Sequence, residues 1–359
     1  MEREIIKYLC GLFLTGIVPP ILIRQLQKGA VFSGIIENQR RMLYIVSISS
    51  ISFISAINKN TEILMGTLIG CAIFQLLGVY GVNKLNAAGN WKEKLPVSKI
   101  QFLIFCTILL LFLSADYLLR GKAVENIINQ VDGGLLIFLF SIYFYFSYIK
   151  GEDSALSIYK RQYEIWWKNQ KKNTNKQEQI DNLERYSSRK KRIAQIFTYL
   201  LLIVIILIGN YFLFEGVSKL GVDLEVSQYC AGLTLMAWSV NLLGILLENM
   251  AWKSEDNVSN RESLEIECED GEALLRKAAK EEKKIENLVE GIIFSMTFLL
   301  GCIALIEPIM THIYMIYDLI ILGIISILFQ FISKIDNRLA GSGMEAVYIG
   351  FIVYTLMRS

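Results

Sequence analysis

At 359 residues and 53% hydrophobic, with a mean hydropathy of +0.43, this chain carries more apolar surface than a soluble domain of its size can use. A formal net charge of +2 is too small to point to a nucleic-acid partner. One histidine, His312, excludes histidine-based metal sites and HExxH hydrolases. Cys10, Cys71, Cys106, Cys230, Cys268 and Cys302 lack the spacing of a zinc site or disulfide framework, and read as small packing residues.

A bilayer core about 30 Å thick needs about 20 apolar helical residues, and ten segments meet or approach that length. The first, Ile5–Leu26, follows Glu2, Arg3, Glu4 and Lys7. It is too long for a cleaved signal peptide and lacks a small-residue cleavage site. Pro19 and Pro20 predict a kink within it, because each removes a main-chain donor and crowds the preceding turn. Met42–Ile57, Ile63–Val82, Ile100–Leu119 and Gly133–Ile149 complete a first group of five. Phe102–Leu113 is apolar on all sides, as a helix surrounded by lipid or other membrane helices would be.

Residues 150–192 interrupt this pattern with Lys160-Arg161, Lys171-Lys172, Arg189–Arg192 and the pair Trp166-Trp167. Two readings stand: a solvated connector, or a regulatory segment that binds anionic lipid. The second group of five comprises Ile193–Phe214, Ser227–Met250, Leu288–Ile306, Ile313–Ile332 and Met344–Met357. Between its second and third members lies a charged loop, 251–286, acidic at first and then basic. That loop predicts a solvated helix and lacks the ligand spacing of a calcium loop. The organisation is therefore 1–149 as one five-helix repeat, 150–192 as a linker, and 193–359 as a second repeat. The fold class is an all-α integral membrane protein of about ten helices in two inverted halves.

Loop charge sets the expected orientation. With the N-terminus outside, the inner loops hold Arg24, Lys28, Arg40, Arg41, Lys84, Lys92, Lys94, Lys99, the basic linker, Lys253 to Lys284, Lys334 and Arg338. The outer loops hold only Lys59, Arg120, Lys122 and Lys219. The expectation is a multi-pass inner-membrane protein with both termini extracytoplasmic and the linker in the cytoplasm.

Residues 66–81 read GTLIGCAIFQLLGVYG and residues 232–245 read GLTLMAWSVNLLGI. The first resembles the GNxxGSNxxNxxxxxG stretch, and the second the GLTxxAxGTSxPEL stretch, of the calcium/cation antiporter superfamily, which includes the sodium/calcium exchangers. Gly66, Gly70, Phe74 and Gly81 match the first pattern, and Gly232, Leu233, Thr234, Leu235 and Ala237 the second. Asn287, Phe294, Gly301 and Pro308 follow on the companion pattern. Asp132-Gly133 with Tyr143, and Gly341–Glu345 with Tyr348 and Tyr354, look like the last helix of each family half. The resemblance implies an inverted-repeat antiporter whose second and third helices pack against its seventh and eighth around a cation site.

The departures fall at that site. The family's two glutamates become Ser49 and Gly244, and its motif prolines become Ile48 and Leu243. Its asparagines become Ala72 and Gln75 in one repeat, and Ile292 and Ser295 in the other. Calcium takes six to eight oxygen ligands and favours carboxylates, so calcium exchange by the family's usual route loses its ligands. A shifted site remains as one expectation, built from Glu248 and Glu290 with Ser49, Ser52, Thr67, Gln75, Asn241, Asn287 and Ser295. Asn241, Gly244 and Glu248 share one helical face, and intramembrane carboxylates at a repeat interface mark ion pathways. The bland alternative seats both glutamates at helix ends, in water or paired with Lys253 or Lys284. Asp318 reads as structural, paired with a neighbouring helix. No resident cofactor is implied, and sodium, calcium or a proton stay open as the transported ion. The competing functional class is a transport-inactive membrane scaffold that recruits a cytoplasmic protein through its loops.

Overall fold

The computed structural model describes residues 1–27, 33–86, 95–115, 126–149, 178–246, 285–332 and 337–358. Helix α1 runs as α-helix over Glu2–Leu12 and Val18–Gln27 around a π-helical turn at Phe13–Ile17. Next come α2 (Ser33–Ile57), α3 (Thr61–Phe74, a π-turn at Gln75–Val79, then Tyr80–Asn86), α4 (Val97–Ser114) and α5 (Gln130–Phe144, with a π-turn at Tyr145–Ile149). The second half holds α6 (Glu178–Asp223), α7 (Gln228–Leu246, with a π-turn at Gly232–Met236) and α8 (Ile285–Ile306, with a π-turn at Phe294–Leu299). It ends with α9 (Ile313–Ile332) and α10 (Asn337–Met357). Among the described residues nine helices have the length and composition of membrane spans, and Met42–Ile57 is a shorter apolar tenth. Large apolar side chains such as Phe105, Phe112, Phe138, Phe197 and Leu328 are turned outward, as a lipid-facing surface requires.

Local chemistry accounts for the ends. The Asn60 side chain accepts from the Ile63 amide at 3.1 Å and starts α3. Asn129 and Asp132 form a reciprocal capping box that starts α5, which gives the motif residue Asp132 a plain structural role. The double proline of α1 is absorbed by the π-turn just before it, where the hydrogen-bond ladder already shifts register. Helix α6 starts at Glu178, inside the segment expected to be linker. No glycine or proline occurs between Glu178 and Ile208, so nothing in that stretch interrupts the helix. The rest of the basic linker, including the Trp166-Trp167 pair, and the loop expected to form a solvated helix lie outside the described residues. A two-residue ladder, β1 (Ile127–Ile128) antiparallel to β2 (Ile309–Met310), ties the loop before α5 to the loop after α8. No spanning strand was expected, and the ladder joins loops only.

Packing follows a two-fold logic that exchanges the halves. Helix α1 packs on α6 and α4 on α9, each pair mapping onto itself, while α3 packs on α10 as α8 packs on α5. The register is visible in side chains. Phe74 meets Tyr348 edge-on at 4.9 Å, and Phe294 meets Phe140 edge-on at 5.8 Å. Glycines seat both pairs. A β-carbon on Gly341 would lie 2.8 Å from the Gly81 carbonyl oxygen, and one on Gly301 would lie 2.7 Å from that of Gly133. Small residues allow such backbone approach where no hydrophobic force drives helices together.

Candidate ion site in the helical core

Helix α3 crosses α7 at main-chain distance. A β-carbon on Gly66 would lie 2.2 Å from the Tyr229 carbonyl oxygen, and one on Gly70 would lie 2.3 Å from that of Leu233. In return, one on Gly232 would lie 2.6 Å from the Ile63 carbonyl oxygen. The motif glycines are therefore what lets two helices touch without side chains between them.

Just past that crossing, toward the end of the bundle that carries the linker, sits a neutral polar cluster. Gln75 Nε2 donates to Asn241 Oδ1 at 3.1 Å, and Asn241 Nδ2 donates to the Ala237 carbonyl at 2.8 Å. Cys71 Sγ donates to the same carbonyl at 3.8 Å. The Tyr44 hydroxyl reaches the side chains of Cys71 and Gln75. Its ring lies 3.8 Å from the β-carbon positions of both Gly244 and Gly291. Gly244 stands where the family resemblance puts a glutamate, and an aromatic ring covers that place.

The predicted site residues separate into three groups. Gln75 and Asn241 come together across α3 and α7. Ser52, Thr67 and Ser295 are buried, and their hydroxyls donate to the carbonyls of Ile48 (2.7 Å), Ile63 (2.7 Å) and Ile292 (2.9 Å) on their own helices. Their lone pairs remain available as acceptors. Ser49 and Asn287 are half-buried. Glu290 is 5% exposed and pairs with Lys99, at the start of α4, which also binds Glu286. Lys99 reaches Glu290 because α4 enters the bundle beside the start of α8. Glu248, with Lys253 and Lys284, lies outside the described residues.

Comparing the repeats sharpens the picture. The offset that aligns Gly81 with Gly301 and Gln75 with Ser295 also aligns Gly66 with Glu286 and Gly70 with Glu290. Both third helices start a π-turn at this depth, at Gln75 and at Phe294, and such turns recur at functional sites. One copy carries glycines that admit a crossing helix, and the other carries glutamates bound to a lysine.

Sequence reasoning missed Tyr44, Lys99 and Asn210. Lys99 is charged next to an apolar run, which normally signals a loop end rather than a buried partner. Asn210, fully buried on α6, donates to the Ser47 carbonyl at 3.0 Å and to Ser50 Oγ on α2. Two of the α2 serines thus serve a neighbouring helix. Asp318 on α9, also fully buried, accepts from Tyr229 Oη at 2.7 Å and pairs with Arg358 just past α10. Among the described residues no group of three His, Cys, Asp or Glu side chains comes together to hold a metal ion.

Among the described residues, nine apolar helices of spanning length and a shorter tenth, in two inverted halves closing on a polar core with paired π-turns, describe a multi-pass membrane protein. Residues 49–149 match the sodium/calcium exchanger protein family. Over 99% of its length the chain superposes on 91% of native YfkE, with a TM-score of 0.60 and 13% identity. It also superposes, over 98% of its length, on 97% of the sodium-calcium exchanger NCX_Mj soaked with sodium and strontium, with a TM-score of 0.53 and 15% identity. The same exchanger soaked with sodium and calcium gives a TM-score of 0.52 at 15% identity, covering 98% of each chain. No curated protein matches the sequence significantly. The fold is that of these exchangers, and the match to the family's sequence covers residues 49–149.

Proposed function

We propose that the protein is a cation antiporter whose core site is neutral and serves a monovalent cation or a proton-coupled solute. The observation that carries this reading is the Gln75–Asn241 hydrogen bond, at the depth where exchangers would be expected to place carboxylates, beside a Gly244 covered by Tyr44. A divalent cation without acidic ligands is costly in an apolar bilayer centre. A monovalent ion, by contrast, is satisfied by amide and hydroxyl oxygens. Ser49, Ser52, Thr67, Gln75, Asn241, Asn287 and Ser295 supply those oxygens. Glu248 is the remaining carboxylate of the set, since Glu290 is engaged by Lys99. Alternating access proceeds by α1 and α6 shifting across the paired-helix core, with both termini extracytoplasmic and the linker cytoplasmic.

A flux screen in proteoliposomes tests this, with sodium, potassium, calcium, magnesium and manganese, with and without a pH gradient. Saturable monovalent or proton-coupled flux that Asn241→Leu abolishes is the expected result. Calcium flux unchanged in the Glu248→Gln, Glu290→Gln double variant would sink the reading of the site. A second reading, a transport-inactive scaffold that binds a cytoplasmic protein through 150–192 and 251–286, is favoured by Gly244 standing at the glutamate position with the ring of Tyr44 beside it. Absence of saturable flux for every ion tested would select it.

A further inference from the structure

Glu345 is a carboxylate on α10 that faces α3 inside the bundle. Its Oε1 is fully buried without a hydrogen-bond partner and lies 2.7 Å from the place a β-carbon would take on Gly81. The group's other contact is a main-chain hydrogen bond at Val82. Among the described residues it makes no ion pair. Tyr348, on its own helix, is within electrostatic reach of it, and the facing helix α3 carries Cys71, Tyr80 and Lys84. Lys84 is bound to Asn337 Oδ1 at 2.9 Å and lies over the Tyr80 ring.

The inverted repeat supplies a control for what packing alone demands. Where Glu345 Oε1 abuts Gly81, Ile137 Cγ1 abuts Gly301, with its β-carbon contact at 2.8 Å. Where Tyr348 meets Phe74, Phe140 meets Phe294. An isoleucine and a phenylalanine thus fill the equivalent contacts, so the α10–α3 interface needs neither the carboxyl of Glu345 nor the hydroxyl of Tyr348 for shape. Those two polar groups sit one turn apart on α10. Tyr348 is within electrostatic reach of both Glu345 and Cys71, and Cys71 belongs to the central cluster of Tyr44, Gln75 and Asn241.

We propose that Glu345 is a proton-binding site embedded in the membrane, connected to the core cluster through Tyr348. Glu345 is half-buried, and a carboxylate that holds one oxygen buried with no donor and no cation beside it is costly in low dielectric. A bound proton removes the charge that makes this placement costly. This deepens the transport reading by naming the coupling ion, and it rests on that reading for its role though not for its chemistry.

Infrared spectroscopy of the protein in lipid, titrated from acidic to alkaline pH, separates the two. The expected result is a protonated-carboxyl C=O stretch that persists at neutral pH, disappears on alkalinisation, and is missing in Glu345→Gln. Glu345→Ile, which copies the other repeat, keeps the wild-type melting temperature and also lacks the band. Spectra of wild type and Glu345→Gln that coincide at every pH overturn the proposal. So does loss of the band on adding sodium or calcium at fixed pH, which would make Glu345 a cation ligand. A wild-type protein with the band but without flux retains the proton site and rejects the transport reading. Retained flux whose dependence on a pH gradient vanishes in Glu345→Ile supports both.

Discussion

Gly70 on α3 and Glu290 on α8 hold equivalent places in the two repeats and do opposite things. Gly70 lets the Leu233 carbonyl approach to within 2.3 Å of a would-be β-carbon, while Glu290 is buried against the ammonium of Lys99. The α3–α7 contact is therefore sealed by backbone, whereas the equivalent place on α8 is tied to α4 by charge. The two halves share a fold without sharing the forces that close it.

Gly70→Ala is expected to lower stability by about 1–3 kcal/mol or more, because the clash is with main chain that cannot rotate away. Gly350→Ala, with nothing within 4 Å of its β-carbon, is neutral or gains up to about 1 kcal/mol. Thermal unfolding in detergent, read as loss of the monodisperse peak, compares them.

Removing Lys99 strands a glutamate that is 5% exposed. Lys99→Met should cost about 3 kcal/mol, the low end for a broken buried pair, since Glu286 keeps contact with water at 39% exposure. The Lys99→Met, Glu290→Gln double variant should recover most of the loss. A double variant no more stable than Lys99→Met would mean that the pair is not what holds α4 to α8.

Arg358 closes the opposite end of the bundle. It pairs with the fully buried Asp318 and stacks on the Tyr354, Tyr314 and Tyr229 rings at 4.8, 5.5 and 5.9 Å. Arg358→Ala should cost about 3–5 kcal/mol, and Arg358→Lys should recover only part, because an ammonium lacks the planar fork that pairs and stacks together. Melting temperatures of the two variants in the same detergent decide the order.

The Gln75–Asn241 bond should contribute little to stability. Hydrogen bonds between membrane helices average about 0.6 kcal/mol by double-mutant cycle. Gln75→Leu and Asn241→Leu are expected to leave unfolding nearly unchanged while abolishing saturable flux. Large destabilisation with normal flux in the surviving protein would recast the pair as structural glue.

The ten segments and the inverted halves were legible in the sequence because bilayer thickness imposes a length, and because Gly66, Gly70, Gly232 and Gly301 mark helix crossings that no other residue permits. The tenth segment, Met42–Ile57, was read at its apolar length, and its polar extension to Ser33 carries no hydropathy signal. The core site was half legible. Gln75 and Asn241 fall on aligned motif positions, so their meeting follows from the repeat. Lys99 and Tyr44 do not: each acts across a helix interface whose rotation hydropathy cannot set. Glu345 stood in a recognised motif, yet its lack of a partner became visible only beside Ile137.

The reciprocal glycine contacts bear on how the chain is made. Gly133 seats α5 on α8, and Gly81 seats α3 on α10, so each half finishes the other's packing. Until the second half is synthesised, the small-residue faces of α3 and α5 have only lipid to meet. The first half emerges from the ribosome as an unfinished surface, and the duration of translation through 150–192 and beyond sets how long it waits.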